Sequence, residues 1–140
     1  MSESIKHTFG SFVLLALSLA FIALSGVYVY VGCVVVERAL LAEFCQEVEE
    51  FVVWAYALAT ENASFKLVRK VYEGRGLLGG FVVVLDNDGR LEARSVFSTI
   101  LRQLPRGVSY LESNATSYEG VYVYAKGARG NVTVWVGGRP

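Results

Sequence analysis

Histidine is almost missing from this sequence, and cysteine is scarce. The single histidine, His7, precedes a long apolar run, which excludes a Ser-His-Asp or Cys-His catalytic site and a histidine metal site in everything that follows. Cys33 and Cys45 would lie roughly 18 Å apart along one helix, too far for a disulfide between them. Both are interpreted as small apolar residues, with an intermolecular disulfide or a lipidated Cys33 as alternatives.

Other chemical signatures are also lacking. The glycine-rich stretch at 74–80 has no lysine and is not a phosphate loop. The stretch DNDG at 86–89 resembles the opening of a calcium loop, but the twelfth position would be Phe97, which cannot bind a metal, so a hairpin turn is favoured. The chain is therefore predicted not to be an enzyme, and no catalytic, cofactor-binding or metal-binding residue is assigned.

Net charge is zero, but the two charge signs are unevenly distributed. Residues 1–60 hold two basic and six acidic residues, a net charge of −4, and residues 61–140 carry the compensating +4. The two parts are electrostatically complementary and are expected to pair within one molecule or between molecules. Because the positive charge is spread over eighty residues without a basic stripe, nucleic acid is not expected as a partner.

Charge is absent altogether from Ser11 to Val36, a run of 26 residues. As a helix this run would span about 39 Å, more than the ~30 Å hydrocarbon core of a bilayer. A cleaved secretory signal is the competing interpretation, but its apolar region should be only about 7–15 residues long. The run predicts a transmembrane helix at 11–36, preceded by a polar leader at 1–10 and in contact with membrane lipid.

The flanks of this run indicate its orientation. A lysine, a histidine and a single glutamate precede it, whereas five glutamates and a single arginine follow it within fifteen residues, and basic residues favour the cytoplasmic side. Three of the four asparagines begin N-glycosylation sequons, and all three lie after the run. Residues 37–140 are therefore predicted to be extracytoplasmic. The candidate glycosylation sites are Asn62, Asn114 and Asn131.

Small residues recur every seven positions along the apolar run. Helices in a membrane gain nothing by hiding apolar surface from lipid, and they associate where small side chains let their backbones approach. A seven-residue period keeps such positions on one face of a left-handed supercoil. This seam of small residues predicts helix–helix packing in an oligomer or filament, with ordinary membrane-helix composition as the alternative. Its members are Ser11, Ser18, Ser25, Gly32 and Ala39.

The sequence after the apolar run changes its periodicity twice. Residues 37–60 have apolar positions at three- and four-residue steps and glutamates on another face, which predicts an amphipathic helical stalk. Residues 61–140 contain alternating runs and turn signals, which predict a small β-rich domain. The expected fold class is α+β, with a long N-terminal transmembrane and stalk helix followed by a small antiparallel β-rich domain. Within that domain the predicted segments are a hairpin of strands 80–86 and 90–96, helical turns at 98–104, a short strand at 107–111, and a hairpin of strands 121–126 and 131–137 around the turn GARG at 127–130.

This layout resembles a type IV pilin or pilin-like protein of archaeal type. Lys6 matches the basic leader of that family, and Gly10 matches the glycine after which its leader peptidase cleaves. Leu15 stands where bacterial pilins carry an acidic residue, which directs the resemblance toward the archaeal type. The resemblance implies a structural subunit of a cell-surface filament, a homo-oligomer formed through its N-terminal helices.

Two other functional classes remain open. One is a membrane-anchored accessory protein of a surface machine, resembling the single-helix β-domain components of the archaellum motor, whose domain binds an envelope or S-layer partner. The other is a monomeric sensor or binding module, for which the sequence contains no pocket signature.

Overall fold

The structure, a computed structural model, describes residues 2–61, 64–72 and 80–140. It divides into two compact units, Met1–Val35 and Val36–Pro140. The described residues confirm the α+β prediction, because one long apolar helix is followed by strands that pair mainly antiparallel. The helix, α1, is Glu3–Ala59, and the strands are β1 (Phe65–Tyr72), β2 (Phe81–Leu85), β3 (Arg90–Ser95), β4 (Thr99–Gln103), β5 (Ser109–Tyr110), β6 (Ser113–Thr116), β7 (Val121–Ala128) and β8 (Asn131–Gly137).

Hydrogen bonds complete the backbone at both ends of α1. The Ser2 carbonyl accepts a hydrogen bond from the Ile5 amide at 3.1 Å and so begins the helical pattern, while the Ser2 and Ser4 hydroxyls are hydrogen-bonded to each other at 3.1 Å. At the other end, the Thr60 hydroxyl donates to the Ala57 carbonyl at 2.6 Å, which satisfies one of the last unpaired carbonyls. Residues 3–10, which were predicted as a polar leader, are therefore helical.

In the first unit the apolar side chains of α1 are exposed. Phe12, Phe21 and Tyr28 have exposed fractions of 68, 72 and 82%. Among the described residues, α1 is the one helix that is long and apolar enough to cross a membrane, and no residue of its most apolar 18-residue window is buried. The first unit thus lacks a hydrophobic core of its own.

In the second unit the strands form two four-stranded sheets. Sheet A has the order β1-β7-β8-β5, and sheet B has the order β4-β3-β2-β6. Every pairing is antiparallel except that of β5 with β8. One face of each sheet is buried, so the period-two alternation of the sequence corresponds to core-facing and outward-facing side chains.

A single hydrophobic core joins both sheets to the C-terminal part of α1. The helix contributes residues spaced three and four apart, as an amphipathic helix should. Phe44 of α1 and Phe81 of β2 meet edge to face with ring centroids 5.3 Å apart. The core residues of α1 are Leu41, Phe44, Cys45, Val48, Phe51, Val52, Ala55 and Ala59.

Both predicted hairpins are present, and the C-terminal one is tighter than expected. β7 continues to Ala128, so the loop contains only Arg129 and Gly130 rather than the predicted GARG. Both loop residues have positive φ, 53° and 81°, which matches the twist of a two-residue hairpin turn. In the β2–β3 hairpin, Gly89 has a φ of 84°, and a Cβ there would meet the Tyr110 ring at 2.7 Å.

The prediction of helical turns at 98–104 is wrong. This segment contains β4, which pairs antiparallel with β3. The Ser98 amide donates to the Ser95 hydroxyl at 3.1 Å, and the Ser98 carbonyl accepts from the Ser95 amide at 2.7 Å. Ser98 therefore closes the β3–β4 turn instead of capping a helix, and Ile100 packs against the core from the strand.

Two further differences concern the strands. Neither β1 nor β6 was predicted as a separate strand, yet β1 pairs with β7 over most of its length and β6 pairs with β2. The strand predicted at 107–111 is reduced to Ser109 and Tyr110, which pair in parallel with β8. Apart from Gly80, the predicted break at 74–80 lies outside the described residues.

Candidate functional site

The seam of small residues is open along α1. Ser11, Ser18, Gly32 and Ala39 are exposed, and Ser25 is half-buried. The Ser18 hydroxyl donates to the Leu14 carbonyl at 2.8 Å, so its polarity is satisfied within the helix. A Cβ added to Gly32 would meet nothing within 4 Å. Among the described residues, the space in front of Gly32 is therefore free for another helix.

Two more glycines of α1 have the same open surroundings. A Cβ added to Gly10 or Gly26 would also meet nothing within 4 Å. Gly10, the candidate cleavage position, lies inside the helix and not in an extended segment. Gly26 lies outside the seven-residue series and differs from Gly32 by six positions, or about 240° around the helix. It therefore serves as a matched control for Gly32.

The candidate glycosylation sites lie on strands, so far as they are described. Asn114 is exposed on β6, opposite Val84 of β2, whose side chain is 40% exposed. Asn131 is exposed at the start of β8, beside the tight hairpin turn. Asn62 lies outside the described residues. Both described asparagines are thus sterically accessible for modification.

Glu37 is a site residue that the sequence interpretation missed. Sequence reasoning used it only as one of the charges that follow the membrane run, and the structure shows that it is only 2% exposed. Its Oε2 accepts hydrogen bonds from the Ser95 hydroxyl at 2.6 Å and from the Phe97 amide at 3.2 Å, while its Oε1 is buried without a partner among the described residues. Glu37 therefore connects α1 to the β3–β4 turn through hydrogen bonds, and no local sequence pattern predicts this contact.

The solvent-facing side of α1 in the second unit carries an acidic face, defined by Glu43, Glu47 and Glu50. Glu43 and Glu50 are exposed, and Glu47 is half-buried. Gln46 donates to Glu50 at 3.3 Å. Beside Glu50, an open groove of about 680 Å³ is lined by a mixture of apolar and charged side chains. These are Gln46, Glu49, Glu50, Val53, Trp54, Ala57 and Arg102.

The outward side of sheet A carries a lysine–aromatic face, defined by Lys66, Lys126, Tyr122, Tyr124 and Trp135. The Tyr124 and Trp135 rings stack at 5.6 Å with an angle of 4° between their planes. The Tyr124 hydroxyl donates to the Gly138 carbonyl at 2.5 Å. Burial, and to a smaller extent the neighbouring Tyr122, raises the pKa of Tyr124. These contacts hold the aromatic part of the face in a fixed orientation.

The two cysteines are free thiols in different surroundings. Cys45 is fully buried in the core, and burial raises its pKa, an effect that Arg102 partly offsets. A buried thiol with a raised pKa is poorly reactive, since the thiolate is the nucleophile. Cys33 is half-buried in the first unit. Cys45 therefore belongs to the core, as the interpretation as a small apolar residue expects.

No grouping of three or more histidine, cysteine, aspartate or glutamate side chains that could hold a metal ion occurs within 2–61, 64–72 and 80–140. Comparisons of the chain with protein-family models, with curated proteins and with solved structures find no match. The candidate sites are consequently surfaces: the seam, the acidic face and the lysine–aromatic face.

Proposed function

We propose that this chain is a structural subunit of a cell-surface filament, similar to a type IV pilin, that assembles through its N-terminal helix. The observation that carries the proposal is the charge-free run Ser11–Val36, whose large apolar side chains have no cover within the described chain. Burying a dozen such side chains is worth roughly 20–35 kcal/mol at about 1.5–3 kcal/mol each.

The open seam supports assembly between helices rather than solvation by lipid alone. Lipid covers any apolar surface equally well, so it gives no advantage to a row of small residues. A facing helix does give such a row an advantage, because the small residues let the two backbones approach and increase the dispersion contacts between them. In a filament these contacts replace lipid as the cover of the helix.

The location of the second unit is part of the same proposal. The sequons at Asn114 and Asn131 are exposed, and the charges that flank the apolar run favour its N-terminal end inside the cell. Residues 37–140 then lie outside the cytoplasm, either on the filament surface or beside the membrane. Glycans at Asn114 or Asn131, detected by mass spectrometry, would support this topology.

A substitution in the seam tests the proposal. Gly32→Leu adds an isobutyl group where helices should approach but keeps the helix apolar enough for a membrane, whereas Gly26→Leu makes the same change off the seam. We expect Gly32→Leu to abolish filaments recovered by shearing cells, and Gly26→Leu to retain them. In wild-type filaments the mature N-terminus should be near Ser11. Sheared filaments formed equally well by both variants would contradict the proposal.

A second candidate function is favoured by one observation. Gly10 lies within an unbroken helical segment, so cleavage after it requires local unwinding. A membrane-anchored accessory protein of a surface machine needs no cleavage, and its β-domain would bind an envelope or S-layer partner. Recovery of the chain only in the membrane fraction, with Met1 or Ser2 as its N-terminus, would support this function over the filament.

A further inference from the structure

We infer that the lysine–aromatic face of sheet A docks onto the acidic face of α1 in a second copy of this chain. The inference rests on the proposed function, because it assigns the contact that neighbouring subunits make outside their helix bundle. It concerns only the second unit, in which both faces lie.

Two like charges lie next to each other on sheet A. Lys66 of β1 and Lys126 of β7 are directly opposite each other in the antiparallel register, so both project from the same face of sheet A. Side chains in such a pair have their Cβ atoms about 4.5–5.5 Å apart, and like charges there are destabilising. Both lysines are exposed, and neither has an ion-pair partner among the described residues. A carboxylate placed between them would convert repulsion into attraction.

The acidic face supplies carboxylates that are also free. Neither Glu43 nor Glu47 forms an ion pair with any described residue. Glu49, by contrast, already pairs with Arg102 at 3.3 Å and is not included in the face. Each copy therefore carries unneutralised carboxylates on α1 and unneutralised ammonium groups on sheet A.

The two faces also agree in size and in apolar character. From Glu43 to Glu50 the helix rises about 10 Å, and the part of β7 from Tyr122 to Lys126 covers about 13 Å. Beyond Glu50, the side chain of Trp54 is 51% exposed. The half-buried Tyr122 and Trp135 of sheet A provide an aromatic surface for it to contact.

A second copy is the partner that the charges favour. The chain has a formal net charge of zero, so copies do not repel each other at long range. Each copy brings one acidic face and one lysine–aromatic face, so the stoichiometry is matched. Because the two faces are different patches, the contact is heterologous and can propagate along a filament instead of closing in a dimer.

Carbodiimide cross-linking of native filaments and membranes tests this contact directly, because the reagent joins a lysine and a glutamate that are already in contact. We expect a species of twice the mass of the single chain in the same preparation, in which mass spectrometry finds Lys66 or Lys126 joined to Glu43, Glu47 or Glu50. Absence of these cross-linked peptides, or dimers joined only through other residues, would overturn the inference. This measurement needs no variant and does not depend on refolding.

Charge reversal provides a second readout. Lys66→Glu with Lys126→Glu should reduce the dimer yield at least tenfold, and addition of Glu43→Lys and Glu50→Lys to the same chain should restore it. Arg90→Glu with Arg106→Glu changes the net charge equally at exposed positions off the face and should leave the yield unchanged. An equal loss in this control, or no rescue in the quadruple variant, would overturn the inference.

The outcomes separate this inference from the proposed function. Filaments that form without any Lys–Glu cross-link would overturn the docking contact and leave the filament proposal intact. Cross-linked dimers confined to the membrane would support the contact and contradict the filament. If the double lysine variant instead loses binding to vesicles that contain anionic lipid, while wild-type chains give no cross-link, the face binds lipid headgroups and the inference is overturned.

Discussion

Two phenylalanines on the same helix have opposite surroundings. Phe21 in the first unit is 72% exposed, and Phe51 in the second unit is fully buried. Both belong to α1, and both lie in strongly apolar stretches. The difference is that residues near Phe51 alternate with glutamates and have two sheets to pack against, whereas residues near Phe21 have neither. Within one helix, burial is decided by the available partner and not by local hydrophobicity.

The comparison assigns different roles to the two units. The second unit satisfies its apolar face within the chain and should fold around its own core. The first unit leaves its apolar surface for something outside the chain, which is lipid or sister helices in the proposed function. Matched substitutions in the two units test this distinction.

The largest expected effect comes from truncating the two phenylalanines. Phe51→Ala should destabilise the second unit by about 3–5 kcal/mol, because it removes a buried ring and leaves a cavity. Phe21→Ala should leave the unfolding of that unit unchanged. Thermal or denaturant unfolding of the full chain in detergent, followed through tryptophan fluorescence, measures both. A similar loss of stability in the two variants would erase the distinction between the units.

A smaller effect should appear at high pH. Burial raises the pKa of Tyr110 to about 12, and its hydroxyl donates to the Pro105 carbonyl at 2.5 Å. A pKa that is higher in the folded state than in the unfolded state stabilises the folded protein below about pH 10. This contribution, about 2–3 kcal/mol in all, is lost as the pH rises to about 12.

Unfolding of the full chain at several pH values between 9 and 12 tests this dependence. Tyr110→Phe should reduce the pH dependence by the share of Tyr110 and leave the shares of Cys45 and Tyr124, whose pKa values burial also raises, whereas Tyr28→Phe in the first unit should not alter it. An unchanged pH dependence in Tyr110→Phe would show that other groups are responsible for it.

Substitutions of two glutamates of α1 should change the stability of the second unit by different amounts. The larger of these changes should be similar to or smaller than the effect of Tyr110. Glu37→Ala removes two hydrogen bonds to the β3–β4 turn and should destabilise the second unit by about 1–3 kcal/mol. Glu37→Gln keeps an acceptor and removes a buried charge, so it should cost less. Glu43→Ala, on the exposed acidic face, should change stability by less than about 0.5 kcal/mol. Equal costs for Glu37→Ala and Glu43→Ala, measured by denaturant unfolding, would contradict the role of Glu37.

The smallest effect is a gain in stability. Arg129 has a φ of 53°, a conformation that asparagine adopts more easily than arginine does. Arg129→Asn should stabilise the second unit by about 0.5–1 kcal/mol, as judged from the size of the left-handed penalty. Arg139→Asn, an exposed control outside the hairpin, should have no effect on the unfolding midpoint. A loss of stability in Arg129→Asn would mean that the arginine side chain contributes more than its backbone strain costs.

The parts of the fold that could be predicted are those with a strong local signal. The charge-free run and the amphipathic stretch that follows it indicated the long helix, and the strict alternation around residues 127–130 indicated the final hairpin. The strand β4 was mistaken for a helix because Ser98 and Pro105 imitate a helix start and stop, while its pairing with β3 is a tertiary effect. The alternation of apolar and polar residues from Phe65 to Leu67 could have predicted β1, but the lysines of this segment obscured the pattern.

The candidate surfaces were predictable to different degrees. The seam depends only on spacing along a helix, so the sequence was sufficient to define it. The burial of Glu37 depends on Ser95 and Phe97, which are 58 and 60 residues away, and no local pattern reports such a contact. The opposition of Lys66 and Lys126 likewise depends on the β1–β7 register, which only the structure supplies.

Two tyrosines, one in each unit, report whether the first unit is covered in native material. Tyr28 in the first unit and Tyr118 in the second are 82% and 79% exposed in the isolated chain, so in that chain both should react equally with hydroxyl radicals in water. Radical footprinting of native filaments or membranes, read by mass spectrometry, should find Tyr118 oxidised and Tyr28 at least tenfold protected, because lipid or sister helices cover the first unit. Equal oxidation of Tyr28 and Tyr118 in native material would contradict the account.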